Sequence, residues 1–313
     1  MTNGKMLKRV SVLCRGELIS ACLLGATLLW ALMLSSEGAE YVKDGMRLAV
    51  GSVIPSSFPF MVITDFYVAY GRPENLRLIG AVLSRLMGIP PAGLGALVCG
   101  NVGGFPIGAK ACADAYASGA LERSDAQRLI PLCNNPSCAF IVGGVGIGMW
   151  GDARVGVTLL ISVISATLLC GVITKSKQYK NGYTDNNIWQ NYSFVESVKK
   201  AGVSSISIIS FVCLFSVLCG IIKKRVKNAL LIYPLFSILE VTNAVSSLAS
   251  SDALPEALRL SACAFALGFG GVCVGMQSSS FVRASGLTMK NYYRVKLLEG
   301  MLAAAVSSLI YHI

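Results

Sequence analysis

Two stretches of the sequence combine several glycines with a polar side chain, a composition suited to holding a small solute. Residues 103–119 (GGFPIGAKACADAYASG) and 270–286 (GGVCVGMQSSSFVRASG) align without a gap at six identical positions, with Lys110 and Gln277 in the same place. The glycines and Pro106 should interrupt a helix, and the helix that restarts carries partial positive charge at its N-terminus. Lys110 and Gln277 would then present one cation and one amide to an asymmetric ligand. The candidate ligand contacts in and beside these stretches are Asn101, Gly104, Lys110, Gln277 and Ser278.

The first stretch also has a purely structural interpretation. Gly100, Gly104 and Gly108 recur at every fourth position, a spacing that lets two membrane helices pack closely. Lys110 would then extend its ammonium group to the membrane surface. The first stretch alone does not decide between packing and binding, but the existence of the second stretch favours binding.

Two asparagines between prolines form another candidate site. Pro131 and Pro136 bracket Asn134 and Asn135, and Ser137 follows them. Because proline removes a backbone hydrogen bond, we expect a broken helix with free amides and carbonyls at the start of an apolar run. We therefore predict Asn134, Asn135 and Ser137 as ligand contacts. The alternative is a simple loop that caps the following helix.

A carboxylate lies inside an apolar segment of the second half. Glu240 precedes Thr242 and Asn243 within the predicted span 230–249. A charged group at the centre of a bilayer costs about 2.5–3.5 kcal/mol on insertion scales, so such a residue is a functional candidate. We predict Glu240 and Asp65 as coupling or gating groups, and Thr242 and Asn243 as ligand contacts. The alternative is a structural charge pair, for which Lys110 is the obvious partner of Glu240.

Other kinds of chemistry lack the residues that they need. The one histidine, His312, is next to last, and no C-x-x-C pair occurs, which argues against a zinc site and a serine hydrolase. The pattern Gly146-x-Gly148-x-x-Gly151 fits a dinucleotide fingerprint, but it lies in an apolar run with no strand before it. We expect no catalytic residues, no metal and no cofactor, and therefore a protein that is not an enzyme.

The composition indicates which elements must position these residues. Hydrophobic residues make up 54% of the 313 residues and charged residues only 14%, whereas soluble domains carry about 25% charged residues. Backbone in lipid must be helical unless it lines a cavity. We therefore predict an all-α polytopic membrane protein in a lipid bilayer, with eight or nine apolar segments, some broken or re-entrant. The segments lie near residues 18–34, 48–70, 78–108, 129–149, 153–173, 203–222, 229–250, 257–281 and 295–312.

The sequence divides into two halves around a polar stretch. We predict a retained membrane helix within residues 1–40, a first repeat at 41–175, a polar linker at 176–194 and a second repeat at 195–313. In the predicted order of spans the two glycine-rich stretches run in opposite directions, which makes the repeats inverted. The net charge of +11 is assigned to short loops that set orientation, one of them containing Lys296, rather than to nucleic-acid binding.

Six short runs of the sequence resemble a known family. The runs are Pro55–Phe60, Gly104–Lys110, Cys133–Ser137, Gly146–Gly151, Glu240–Asn243, and Gly270-Gly271 with Gln277. They resemble the YlbJ (SpoVV) family of sporulation integral membrane proteins, in the nucleoside-recognition or Gate domain group. The repeat plan is also similar to that of concentrative nucleoside transporters. The resemblance implies two Gate-like repeats in a bacterial membrane protein that moves dipicolinic acid across the outer forespore membrane during endospore formation.

The interpretation that joins these observations is a carrier for a small anionic solute, with dipicolinate as the candidate. Half-helix N-termini, Lys110 and the amides of Asn134, Asn135 and Gln277 would replace the hydration shell of this planar dianion. Glu240 would couple or gate, since it would repel the anion. Two alternatives stay open: a carrier of nucleosides or other small molecules, and a non-transporting subunit of a sporulation membrane complex. The oligomeric state is also open.

Overall fold

The structure is a computed structural model that describes residues 36–70, 77–175 and 193–312, together with the isolated Gly25. Residues 64–70 and 77–79 are described by their backbone alone. Every regular element in these ranges is a helix, which confirms the all-α prediction. The predicted span near 18–34 and most of the predicted linker at 176–194 lie outside the described residues.

The α-helices vary in length from 9 to 32 residues. In chain order they are α1 (Ser36–Leu48), π1 (Ala49–Val53), α2 (Ile54–Tyr70), α3 (Arg77–Met87), α4 (Pro91–Gly103), α5 (Ile107–Ala117), α6 (Arg123–Cys133), π2 (Phe140–Met149), α7 (Ala153–Ile173), α8 (Phe194–Arg225), α9 (Ala229–Leu239), α10 (Val241–Ala249), α11 (Glu256–Phe269), α12 (Gly271–Ala284) and α13 (Tyr292–Tyr311). The elements π1 and π2 are π-helices, and α1, π1 and α2 follow one another without interruption.

Four helical stretches of the described ranges are long and apolar enough to cross a membrane. They are Glu37–Ile63, Ala153–Ile173, Phe194–Arg225 and Glu256–Ala284. A fifth candidate joins α3 to α4 through a bend of 102°. These lengths suit a lipid bilayer, but they do not confirm the eight or nine predicted segments, because several of those segments consist of two short helices.

Among the helices separated by short breaks, four pairs have breaks that lie close together in the structure. In the first half the broken pairs are α4–α5 and α6–π2, and the long helix α7 follows them. In the second half the broken pairs are α9–α10 and α11–α12, and the long helix α13 follows. Each half thus contains two such pairs followed by a long helix, but α3 of the first half has no counterpart in the second half.

The two glycine-rich stretches are alike locally but hold different positions in this order. Each begins at a break that contains a glycine of positive φ, 80° at Gly104 and 77° at Gly270. Each ends after a helix at a second such glycine, Gly119 or Gly286. The shared Ala-Ser-Gly ending is a helix C-terminus, where glycine takes the left-handed conformation readily. However, the stretch 103–119 belongs to α4–α5, the first broken pair of its half, whereas the stretch 270–286 belongs to α11–α12, the second broken pair of its half. The two stretches therefore do not occupy equivalent places in the order of helices.

Glycines bring the pair α4–α5 against the end of α6. A Cβ atom added to Gly100 of α4 or to Gly108 of α5 would overlap the carbonyl oxygen of Cys133. A Cβ atom added to Gly100 would also lie 3.1 Å from the Cα atom of Gly108, and one added to Gly108 would lie 2.7 Å from the Cα atom of Gly100. The packing interpretation of this sequence spacing therefore holds for Gly100 and Gly108, whereas Gly104 lies in the break between the two helices.

Long helices surround the broken pairs. The helix α13 packs along α7 and α11, α8 packs along α1 and α2, and α5 contacts α12. A Cβ atom at Gly268 of α11 would lie 3.0 Å from the Cα atom of Gly300 in α13, so these two helices approach closely. This packing brings the breaks of both halves together.

Candidate functional site

The four breaks contact one another in the interior of the protein. In chain order they lie at residues 104–106, 134–137, 240 and 270. An added Cβ atom at Gly104 would lie 2.8 Å from the backbone nitrogen of Ser137, which joins the first break to the second. A Cβ atom added to Gly270 would lie 3.5 Å from the ring of Phe105. A Cβ atom added to Gly271 would lie 3.0 Å from the carbonyl oxygen of Leu239. The fourth break therefore contacts the first and the third.

A small cavity lies where the breaks meet. Its volume is about 40 Å³, which is room for about three water molecules. Ligand pockets commonly measure about 300–1,000 Å³, so the cavity is too small for a drug-sized solute in this conformation. The polar side chains that line it include Ser57, Ser137, Glu240, Thr242 and Gln277, and the aromatic ones include Phe105, Phe140 and Phe211.

Glu240 forms the third break by capping the helix that follows it. Its carboxylate accepts hydrogen bonds from the backbone N–H groups of Thr242 at 2.9 Å and Asn243 at 2.6 Å. The amide Nδ2 of Asn243 donates to the same carboxylate at 2.7 Å and to Ser216 Oγ at 2.8 Å. The N-terminus of α10 thus stabilises a carboxylate that is only 1% exposed. The predicted partner Lys110 is not involved.

Removing this cap should destabilise the protein. We expect Glu240→Ala to lower the free energy of unfolding by about 2 kcal/mol, because two buried N–H groups would lose their acceptor. Glu240→Gln should cost less, since its amide oxygen can still accept one of these bonds. Thermal unfolding in detergent measures the effect, and the exposed cap of α9, Asn228, supplies the control variant Asn228→Ala. Equal losses for Glu240→Ala and Asn228→Ala would contradict a buried capping role.

Gln277 places an unpartnered donor at the cavity. The residue is 4% exposed and lines the cavity wall. Its amide nitrogen Nε2 has no hydrogen-bond partner within the described part of the chain. Because a buried polar group without a partner costs about 1–3 kcal/mol, this nitrogen is a natural contact for a hydrogen-bond acceptor on a solute.

Asn134 connects the second break to the second half of the chain. Its Nδ2 donates to Ser278 Oγ at 2.8 Å and to the hydroxyl of Tyr292 at 2.6 Å. The Oδ1 atom of Asn134 is buried and has no partner among the described residues. Asn134 and Ser278, predicted separately, therefore meet beside the cavity, together with Tyr292, which the sequence analysis does not single out.

Asn135 belongs to a second polar group that includes a buried ion pair. The side chains of Lys296 and Glu299 are fully buried, and Lys296 Nζ lies 2.9 Å from Glu299 Oε2. Lys296 Nζ also donates to Asn135 Oδ1 at 2.9 Å, and the hydroxyl of Thr167 donates to Glu299. Asn135 Nδ2 donates to Thr167 Oγ1 at 3.0 Å and lies 3.4 Å from Asn101 Oδ1. The sequence-based prediction that Lys296 lies in a short loop is therefore wrong, because the residue is buried within α13.

Lys110 lies away from the cavity. Its ammonium group pairs with Asp114 one turn later, at 2.6 Å, and its side chain is 36% exposed. The helix α5 begins at Ile107 and places Lys110 on its outer side, where such a pair contributes little to stability. Asp65 lies in α2, but its side chain is outside the described part of the structure.

The structure thus divides the predicted residues into three groups. Gly104, Ser137, Glu240, Thr242 and Gln277 line the cavity, and Asn243 lies behind Glu240. Asn101, Asn134, Asn135 and Ser278 form the polar contacts beside the cavity, and Lys110 belongs to neither group. The residues that sequence reasoning missed as site residues are Lys296, Glu299, Thr167 and Tyr292. A signal for the first two was present, because Glu299 lies three residues after Lys296 in an apolar run.

Comparison with known proteins supports the family resemblance. The chain is 23% identical over 320 residues to the sporulation integral membrane protein YlbJ of Bacillus subtilis (strain 168), with 87% of this chain and 77% of that protein covered. No protein-family model matches the chain, and no solved structure matches it. The relative is a sporulation integral membrane protein, and the apolar helices of this chain agree with a membrane protein.

Proposed function

We propose that this protein is a membrane carrier for a small polar solute, which binds where the four helix breaks meet. The observation that carries the proposal is this meeting of breaks around a cavity with polar side chains. Interrupted helices gather backbone dipoles and side chains at a site inside the membrane, as in many secondary carriers. The two broken pairs and the long helix in each half support two related halves, which we take to be inverted and to move against each other. No chemical step is required, so the protein acts as a carrier and not as an enzyme.

Dipicolinate is the candidate solute. Its flat ring would fit between phenylalanine side chains such as Phe105 and Phe211, and its carboxylates would accept hydrogen bonds from Gln277 and Thr242. A solute of this size needs more space than about 40 Å³, so binding would accompany a widening of the cavity. The relative YlbJ is a sporulation integral membrane protein, and the family resemblance implies dipicolinate as the solute and the outer forespore membrane as the location.

A specific observation favours a second candidate, a nucleoside or another uncharged ring compound. The cavity side chains include the carboxylate of Glu240, and no lysine or arginine is among the described residues that line it. A dianion would therefore meet one negative group and only neutral donors. An uncharged solute would avoid this repulsion and could still use Gln277.

Binding to the purified full-length protein tests the proposal. We expect labelled dipicolinate to bind the wild-type protein and to bind Gln277→Leu about 10- to 100-fold more weakly, because a hydrogen bond to a charged group contributes about 1.5–3 kcal/mol. Ser279→Ala is a matched control on α12, since its exposed hydroxyl bonds only to Met276 of the same helix. Lys110→Met, which lies outside the cavity, should bind like the wild type.

The outcomes separate the candidate functions. Displacement of dipicolinate by nucleosides, or binding of nucleosides alone, would favour the second candidate, a nucleoside or another uncharged ring compound. Failure of both compounds to bind, with Gln277→Leu and Glu240→Gln behaving as wild type in sporulating cells, would instead indicate a non-transporting subunit. Loss of binding in Lys110→Met would contradict the location of the site.

A further inference from the structure

The buried pair Lys296–Glu299 lies at the second break, next to the cavity but outside its wall. Lys296 reaches from α13 to Asn135, the residue that precedes Pro136 and Ser137 of the cavity wall. Glu299 reaches from α13 to Thr167 of α7. The pair therefore connects the long helices of both halves with a break at the solute site.

The surroundings of the Lys296 ammonium group have the chemistry of a monovalent-cation site. Glu299 Oε2 and Asn135 Oδ1 each lie 2.9 Å from Nζ. The helix α6 ends at Cys133, two residues before Asn135, and a helix C-terminus carries partial negative charge. In carriers with interrupted helices, unwound carbonyls and half-helix C-termini coordinate Na⁺ or H⁺. Here the oxygens belong to the side chains of Asn135 and Glu299, and the positive charge belongs to the side chain of Lys296.

We propose that the Lys296 ammonium group is a built-in cation that takes the place of a bound monovalent metal ion at the second break. The carboxylate of Glu299 is its counter-charge, and Asn135 is the link to the cavity. If the protein is the proposed carrier, solute binding therefore does not depend on Na⁺, K⁺ or Li⁺. The assignment of the Lys296 ammonium group as the built-in cation does not rest on the proposed function.

Thermal unfolding of the purified full-length protein in different chloride salts tests the assignment without any solute. We compare NaCl, KCl and LiCl with N-methylglucamine chloride at equal ionic strength. The wild-type midpoint should be the same in all four salts. Lys296→Ala should unfold at lower temperature in N-methylglucamine and recover by about 2–4 °C or more in one of the metal salts, because the vacated oxygens would bind that ion.

Two further variants show whether the recovery comes from this site. The double variant Lys296→Ala/Glu299→Gln lacks the counter-charge and should lose the response to metal ions. Lys110→Ala removes a lysine that is also paired with a carboxylate, but at the surface, and should show no response.

Either of two results would overturn the proposal. One is stabilisation of the wild-type protein by a specific metal ion, which would show that the site still needs one. The other is an unfolding midpoint of Lys296→Ala that is the same in all four salts. If this variant does not fold, Lys296→Gln replaces it, and the comparison of salts on the wild-type protein remains decisive. The salt response requires no solute, so a failure to bind dipicolinate or nucleosides would reject the proposed function and leave this assignment intact.

Discussion

Replacing Glu299 by alanine should lower the free energy of unfolding by about 3–5 kcal/mol, the cost of leaving one member of a buried ion pair without its partner. Glu299 and Lys296 are both fully buried and 2.9 Å apart, so water cannot compensate the ammonium group that remains. Thermal or denaturant unfolding in detergent measures the loss.

The matched control is the ion pair Glu40–Lys43, which has the same spacing along a helix. Its oxygen and nitrogen atoms are 3.2 Å apart, but each side chain is 62% exposed. Glu40→Ala should therefore change the free energy by no more than about 0.5 kcal/mol. The double variant Lys296→Met/Glu299→Leu should cost less than Glu299→Ala, because it removes both charges. A loss for Glu299→Ala no larger than for Glu40→Ala would show that this pair is not buried in the folded protein.

Replacing Gly108 by alanine should destabilise the protein by about 3 kcal/mol or more, because the new methyl group would overlap the carbonyl oxygen of Cys133. The overlap is with backbone, so no side-chain rotation relieves it. Gly95 on α4 supplies the control, since a Cβ atom there would meet no heavy atom within 4 Å. Gly95→Ala should be neutral or stabilise the helix by up to about 1 kcal/mol. Unfolding temperature and size-exclusion behaviour compare the two variants, and equal unfolding temperatures would contradict the close packing.

The sequence predicts the breaks that glycine and proline cause but not the one caused by a side chain. Gly104 with Pro106, and Asn134 with Pro136, mark the first two breaks, because these residues disfavour a continuous helix. The predicted span near 229–250 is instead divided at Glu240, whose carboxylate bonds to the backbone of the next turn. Such a local bond competes with the helical hydrogen bond, and residue types alone do not show which of the two forms.

The sequence also predicts much of the cavity wall but not the ion pair beside it. Ser137, Glu240, Thr242 and Gln277 are polar residues in apolar runs, and each lines the cavity. Lys296 has the same signal, yet it lies near other basic residues and fits the pattern of a loop equally well. Its contact with Asn135 joins residues 161 positions apart, a separation at which no spacing rule applies.

The contact of Gly100 and Gly108 with Cys133 has a consequence for how the cavity can open. Because α4 and α5 both enclose the last carbonyl group of α6, neither can slide along α6 without first losing the contact of the two glycines. We therefore expect these three helices to move together. In the proposed carrier, the hinge would then lie outside this unit.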